Sequence, residues 1–397
     1  MACQKKKFLH RLLPYAIVLT AVLLLAFVPQ KDTGFHSLVN DGISYRKGTV
    51  VRIVSQTLSE SQLGSGMLGT QDVEVLLQNG QQISVTNYLT DTHNILLDEG
   101  TKVVICVDAP ENVEPYYTVY NYDRTAPLIL IAAVFVLLMI LVGGKQGANA
   151  VLALAVSLFF ILRYTIPAIY RGGSPVVIGI FTVLAATAVT LLLLHGVTIR
   201  ALLTAGVTLA GEGAACLLFA ASSAMLHIGG FQTDQAEGLL VVAQNTGLDI
   251  KNMLFAATMI ASLGAVMDVA VSLMSALWEL KQRQSALDAK QMFRSGMNIG
   301  KDMIGTMSNT LIFAFAGNAL ATMLSLTAYG VQNSQLLNSD YIALELAQGL
   351  CGTGGVILTV PIASAVAAAL FLKMKTPDEK PVHIQERIRM NKKGVKK

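Results

Sequence analysis

The residues best suited to chemistry in this sequence are acidic side chains that stand inside long apolar runs. Asp268 is the clearest case, because it lies within the apolar stretch from Asn252 to Leu280. A carboxylate inside a membrane span costs free energy, so such a residue favours a role in moving an ion, a proton or a solute. The alternative is structural: a buried Asp that hydrogen-bonds a neighbouring helix and fixes its packing.

A helical arrangement of this stretch separates its side chains into two faces, because residues three or four positions apart lie on the same side of a helix. The face with Asp268 carries Ala257, Ala261, Gly264, Ala265, Ser272 and Ser275. The opposite face carries Met259, Leu263, Val266, Leu273, Met274 and Leu277. We predict that the small face packs against another helix, and that the large apolar face meets lipid or the outer part of the bundle.

Polar groups stand in other apolar runs as well. Glu212 lies between two glycines, Asp302 shares a helical face with Thr306 and Asn309, and Glu345 lies in the last run. The candidate intramembrane polar site is the set Asp268, Glu212, Asn309, Thr310, Glu345, Ser272 and Asp302. Carboxylates at different depths suit a cation or proton route, but a bundle with several polar helix contacts would give the same pattern.

The sequence carries no motif of a metal-dependent or nucleophilic enzyme. Its cysteines, at positions 3, 106, 216 and 351, are widely spaced and form no CxxC pair. The segment from Gly296 to Asp302 resembles a phosphate-binding loop, but it has three residues between its glycines where that motif has four. We therefore predict a non-enzyme with no catalytic site, no cofactor and no bound metal.

The composition is typical of an integral membrane protein. Soluble domains carry about 25% charged residues, whereas this chain of 397 residues carries 14% together with 53% hydrophobic residues. We predict eight spans, at about residues 12–28, 126–142, 149–169, 174–194, 201–227, 251–279, 303–329 and 341–371. The fold class is thus an α-helical polytopic membrane protein, whose contacts include the lipid bilayer.

The last of these runs is longer than the ~20 residues that a bilayer requires. It contains a small-residue segment from Cys351 to Gly355, followed by Pro361. One interpretation is a broken helix of the kind that transporters use at solute sites. The other is a long, tilted, continuous helix with small residues for packing.

Residues 29–124 are different in kind, because their pattern is polar and alternating. Strands are predicted at 47–57, 72–78, 82–88, 101–107 and 116–122, and Asn79-Gly80 is a hairpin signal. Five short strands favour a small, OB-like β-barrel between the first and second spans. The acidic balance of this segment argues against nucleic-acid binding.

The connections between spans alternate in charge. Lys145, Arg200, the loop from Lys281 to Lys301 and both tails are basic, and the remaining connections include the β-rich segment. The positive-inside rule therefore predicts cytoplasmic termini and an extracytoplasmic β-domain. The predicted domains are a basic tail and anchor at 1–28, the β-rich domain at 29–124, a seven-span bundle at 125–372 and a basic cytoplasmic tail at 373–397.

Several short segments carry a resemblance to a known family. They are Tyr122-Asp123-Arg124, Gly143-Gly144-Lys145-Gln146-Gly147, Pro167 with Arg171 to Pro175, Gly264 to Ser272, Ser295-Gly296-Met297, Ile299 to Met307, Asn309-Thr310-Leu311 and Glu345. On these residues the sequence resembles the YibE/F-like family of bacterial membrane proteins, although Lys301 stands where Arg is commoner. The resemblance implies a multi-pass protein of the bacterial plasma membrane with an extracytoplasmic β-domain, and it implies no activity.

Two functions remain open at this point. One is a permease or ion-coupled transporter of a small solute or ion, with Asp268 as the coupling group and Glu212, Glu345 and Asn309 in support. The other is a non-transporting scaffold or assembly factor, in which the β-domain binds a protein partner or a second copy. The sequence identifies neither the solute nor the partner.

Overall fold

The computed structural model describes residues 14–20, 42–62, 64, 66–110, 113–230, 236–284 and 287–374. The chain divides into two compact units. One is Lys31–Ala148, and the other combines Met1–Gln30 with Asn149–Lys397.

The first unit contains one antiparallel sheet with the strand order β3-β2-β1-β4-β5. Its strands are β1 (Ile43–Glu60), β2 (Met67–Leu77), β3 (Gln82–Leu89), β4 (Lys102–Asp108) and β5 (Tyr116–Tyr122). The central strand β1 has 18 residues, and its register against β2 shifts between Val50 and Arg52 and again between Ile53 and Ser55. Such bulges bend a strand. The edge strands β3 and β5 are in contact, so the sheet forms a half-barrel.

The alternation of side chains explains why these residues form strands. On β2, Val73, Val75 and Leu77 are buried, and they share one core with residues of the other strands. The turn between β2 and β3 is closed by the Leu77 N–H, which donates to the Gln81 carbonyl at 2.9 Å. Gly80 takes a φ of 83° there, a value that glycine adopts without strain. The predicted strands and the predicted hairpin are confirmed.

Buried amides hold the segment between β3 and β4 against the sheet. The Gln71 side chain donates to the Leu97 carbonyl at 3.0 Å and accepts from the Leu97 N–H at 3.0 Å. The Asn87 amide donates to the Ile95 carbonyl at 2.7 Å. Because both amides are 1% exposed, these bonds satisfy groups whose burial would otherwise cost free energy.

The remaining elements are helical. They are α1 (residues 14–20), α2 (Thr125–Phe160), a π-helical turn (Ile161–Thr165), α3 (Ile166–Tyr170), α4 (Pro175–His195), α5 (Ile199–Met225), α6 (Ala236–Thr246), α7 (Ile250–Arg283), α8 (Ala289–Ala328), α9 (Asn333–Leu337), α10 (Asp340–Leu370) and a 3₁₀ turn (Phe371–Lys373). Among the described residues, six helical stretches are long and apolar enough to cross a membrane. They are Thr125–Tyr170, Pro175–His195, Ile199–Met225, Ile250–Arg283, Ala289–Ala328 and Asp340–Lys373.

The count of six differs from the eight spans that the sequence predicts, for two reasons. The first predicted span, 12–28, lies mostly outside the described residues, which include only its segment 14–20. The second and third fall within the single stretch Thr125–Tyr170. That stretch is interrupted at Gly144, where the backbone is non-helical with φ 55° and ψ −131°.

The chain folds back on itself near Gly144. A side chain on Gly147 would collide with the carbonyl of Met139, although eight positions of a straight helix would separate these residues by about 12 Å. The close approach therefore requires a glycine at 147, and a positive φ favours one at 144.

The last long helix is continuous. Helix α10 runs through the small-residue segment from Cys351 to Gly355 and carries Pro361 in its interior. The structure thus has the long continuous helix, and the broken-helix alternative is not observed.

Helices α5, α7 and α8 all contact α10, and glycines bring the backbones together. A side chain on Gly211 of α5 would collide with Thr359 of α10, and one on Gly300 of α8 would collide with Val360. Small residues at such crossings let helices approach closely and gain packing contacts.

Candidate functional site

Glu212 is the most deeply buried acidic side chain among the described residues, with 3% of its surface exposed. Its Oε1 atom accepts a hydrogen bond of 2.7 Å from the hydroxyl of Ser262 on α7. The thiol of Cys216, one turn further along α5, lies 4.0 Å from the same oxygen. The other oxygen, Oε2, is buried and has no hydrogen-bond partner in the described part of the chain. Half of this carboxyl group is therefore unsatisfied.

The Ser262 hydroxyl has three acceptors within reach, of which the Met259 carbonyl oxygen is the most distant at 3.4 Å. Its Oγ lies 2.7 Å from Glu212 Oε1 and 2.9 Å from the carbonyl oxygen of Thr258, one turn earlier on α7. A hydroxyl carries a single hydrogen. If Ser262 donates to the Thr258 carbonyl, a protonated Glu212 can donate to Ser262, and if Ser262 donates to Glu212, the carboxylate accepts. The pair can accommodate Glu212 with or without its proton.

Hydrogen bonds extend this polar contact to a third helix. The side-chain amide of Gln348 on α10 donates to the Thr258 hydroxyl at 2.9 Å, and that hydroxyl donates to the Leu254 carbonyl at 2.8 Å. Thr258 and Ser262 are 4% and 2% exposed. Polar side chains of α5, α7 and α10 therefore meet in the interior of the second unit.

A cavity of about 700 Å³ opens beside Glu212, between α4, α5 and α7. Its lining residues are Ile180, Val183, Leu184, Leu209, Ala210, Glu212, Gly213, Ala214, Cys216, Leu217, Ala220, Phe255 and Met259. Glu212 is the one charged side chain in that set. The arrangement is a carboxyl group in the wall of an otherwise apolar chamber, which can bind a hydrogen-bond donor or a cation.

Asp268 lies outside the Glu212 cavity. The prediction that the small face of α7 is packed and its large apolar face is on the outside is wrong. Met259, Val266 and Leu273 of the large apolar face are buried, whereas Asp268 and most of the small residues on its side are exposed. The exposed residues are Ala257, Ala261, Gly264, Asp268 and Ser272. The reason is packing: α7 contacts α4, α5, α8 and α10, and large side chains are needed to fill the space among these helices.

The polar residues predicted on α8 form another separate group. Asp302, Thr306, Asn309 and Thr310 are exposed. The Thr306 hydroxyl donates to the Met303 carbonyl at 3.1 Å, and the Thr310 hydroxyl donates to the Thr306 carbonyl at 3.0 Å. Within the described residues, no hydrogen bond joins this group to Glu212.

Glu345 occupies a third location. It is half-buried on α10 and lines a cavity of about 60 Å³ together with residues of α8 that include Phe315 and Ala319. The predicted site residues are therefore distributed over separate places and are not brought together.

Sequence reasoning missed Ser262 and Thr258. The two residues are one helical turn apart on α7, which puts two hydroxyls on one face of an apolar helix. That spacing is a usable signal, but it lies on the buried side of α7, away from the small face. The described residues include no group of three or more His, Cys, Asp or Glu side chains that could hold a metal ion.

Comparison with known proteins gives one result. No curated protein and no solved structure matches the chain. The family model described as YibE/F-like protein matches residues 131–373, a range that includes the Glu212 cavity, the exposed face with Asp268 and the polar side of α8. The chain is an integral membrane protein and belongs to the YibE/F-like family.

Proposed function

We propose that this protein is an ion-coupled permease in which Glu212 is the coupling carboxyl group. The observation that carries the proposal is the buried Oε2 atom, which lacks a hydrogen-bond partner in the described residues and belongs to a group that lines a 700 Å³ cavity. Ionisable residues inside spans are costly, and they commonly mark routes for protons, ions or solutes.

The surroundings of Glu212 support this role. A coupling carboxyl group must exist in an ionised and a protonated state. The Ser262 hydroxyl can donate to the carboxylate and accept from the carboxylic acid. We assign the coupling role to Glu212 and not to Asp268. Asp268 lies on the exposed side of α7 and is not a lining residue of the cavity beside Glu212.

The proposed setting is the bacterial plasma membrane, with eight spans, cytoplasmic termini and an extracytoplasmic β-domain. The break at Gly144 supports two spans within Thr125–Tyr170. Basic connections support the orientation through the positive-inside rule. The strand order of the half-barrel and the contact between β3 and β5 support an OB-like domain.

The scaffold alternative has one observation in its favour. Tyr45 and Tyr120 form an edge-to-face pair on the sheet, with ring centroids 4.8 Å apart, and both rings are more than half exposed. Exposed tyrosines of this kind are common in protein-binding surfaces. A scaffold would lose function when these two residues are changed and would keep it when Glu212 is changed.

The test is transport by the purified protein in liposomes that contain a pH-sensitive dye. A panel of cationic, neutral and anionic solutes is added outside, and internal pH is followed. We expect at least one solute to produce a pH change with the parent protein and none with Glu212→Gln. The control is Glu279→Gln, since Glu279 is exposed and paired with Arg283 at 2.6 Å. A parent protein that moves neither solute nor protons would overturn the proposal.

A further inference from the structure

We infer that the cavity beside Glu212 binds an amphipathic organic cation with a single positive charge, which enters from the lipid side. This inference names the ligand class of the site proposed above. Its transport aspect rests on the proposed function, whereas its binding aspect rests on geometry alone.

The size and the walls of the cavity indicate the body of the ligand. Drug-sized ligands occupy cavities of about 300–1,000 Å³, and this cavity has about 700 Å³. Most of its lining side chains are aliphatic or aromatic, among them Val183, Phe255 and Met259. Burying apolar ligand surface against such walls is favourable, at about 25 cal/mol per Å², so the body of the ligand is apolar.

The single carboxyl group indicates the charge of the ligand. Glu212 Oε2 is buried without a partner in the described residues, and no Lys, Arg or His lines the cavity. An anion would place a second negative charge beside the carboxylate, and a dication would leave one positive charge unpaired in an apolar space. Both arrangements cost free energy, so a monocation fits best.

The exposed part of the wall indicates the route of entry. Leu217, Leu184 and Ile180 line the cavity and are 74%, 41% and 45% exposed. Exposed aliphatic side chains in membrane-spanning helices contact acyl chains. A ligand that partitions into the bilayer can therefore pass between these residues without crossing water.

Gly213 supplies a way to fill the cavity without disturbing the fold. It lines the cavity, and a Cβ atom added there would meet no other atom within 4 Å. Gly206, on the same helix, also has open space within 4 Å but is not a lining residue. Gly213→Leu should therefore occupy the binding space, and Gly206→Leu is its matched control.

The probes are tetraphenylphosphonium and tetraphenylborate, which share one shape and differ in the sign of their charge. Equilibrium dialysis measures their binding to the full chain in lipid nanodiscs, with thermal unfolding as the check on folding. We expect saturable binding of tetraphenylphosphonium that Glu212→Gln weakens roughly tenfold to a hundredfold, because the substitution removes the charge attraction between the carboxylate and the cation. Gly213→Leu should weaken it similarly, and Gly206→Leu should leave it unchanged.

Three results would overturn the inference: no saturable binding of the cation, binding unaffected by Gly213→Leu, or equal binding of tetraphenylborate. If Glu212→Gln does not fold, Gly213→Leu and the anionic probe still decide the question. Binding of the cation without flux would contradict the proposed function and leave this inference standing. Flux of another solute without cation binding would support the proposed function and contradict this inference.

Discussion

Lys47 and Asp123 form an ion pair of 3.0 Å between Nζ and Oδ1 that ties the central strand of the sheet to the start of helix α2. The Lys47 ammonium also donates to the Thr125 hydroxyl at 2.6 Å, and the Thr125 N–H donates to Asp123 Oδ1 at 3.0 Å. Strand β1 and the first residue of α2 are thus joined through one carboxylate. Within the Lys31–Ala148 unit, this junction fixes the direction in which the helix leaves the sheet.

This junction should weaken in acid. The Thr125 hydroxyl and N–H, followed by Lys47, lower the pKa of Asp123 from 3.8 to about 2. A carboxyl group with a lowered pKa stabilises the fold above its ordinary pKa, and this contribution is lost as the pH falls through about 2. We expect Asp123→Asn to lower the unfolding temperature of the unit at pH 7 and to have no further effect near pH 2. Calorimetry of the full chain from pH 7 to pH 2 measures this.

Glu99→Gln is the control for that experiment, because Glu99 is an exposed carboxyl group of the same unit. Its unfolding temperature should follow that of the parent at every pH. An Asp123→Asn protein that is as stable as the parent at pH 7 would contradict the role assigned to the junction.

The crossing of α8 and α10 should not tolerate a larger residue at Gly300. A Cβ atom there would collide with the side chain of Val360, whereas one at Gly305, further along α8, would meet nothing within 4 Å. Both substitutions gain helix propensity, so we expect Gly300→Ala to be less stable than Gly305→Ala by about 1–3 kcal/mol, the usual cost of overpacking. Thermal unfolding in detergent compares the two variants. Equal stability would mean that the helices do not pack this closely.

The strands and apolar spans could be predicted because their patterns are local. Val73 and Val75 alternate with the polar residues Asp72 and Glu74, and this alternation alone predicts a strand with one buried side. The turn at Gly144 is similarly marked by the glycines that interrupt a long apolar run. In each case the signal lies within a few neighbouring residues.

The buried side of α7 and the partner of Glu212 could not be predicted in this way. A helix surrounded by others is apolar on several sides, so its pattern does not identify the side that faces the core. Ser262 lies 50 residues from Glu212 in the chain, and no spacing rule joins residues on different helices. The sequence favours Asp268 as the candidate because it lies in a long apolar run, although tertiary packing leaves it exposed.

Ser262 should stabilise the fold through Glu212. Replacing it by Ala removes the hydrogen bond of 2.7 Å to Oε1 and leaves that oxygen with only the 4.0 Å contact to the Cys216 thiol. We expect Ser262→Ala to cost about 1–3 kcal/mol of stability. Thr306→Val is the control, because Thr306 is an exposed hydroxyl on α8 that donates only to its own helix.

A double-mutant cycle identifies the cause of that loss. In a background of Glu212→Leu, which has no carboxyl group, Ser262→Ala should cost clearly less than in the parent. Denaturation of the four proteins under one set of conditions gives the coupling free energy. An equal cost in both backgrounds would mean that Ser262 acts through its own packing and not through Glu212.

Asp268 should be accessible to water. It is exposed on α7 within a helix of spanning length, and a carboxylate turned toward acyl chains would cost about 2.5–3.5 kcal/mol or more. We expect Asp268→Cys, in a chain whose four native cysteines are replaced, to react with a membrane-impermeant maleimide in intact liposomes. Val266→Cys should not react, because Val266 is fully buried. Leu217→Cys should not react either, because Leu217 is 74% exposed on the side of the cavity that we infer to face lipid. If Asp268→Cys is as unreactive as both controls, the exposed side of α7 does not face water, and a surface carboxylate there requires a covering protein chain.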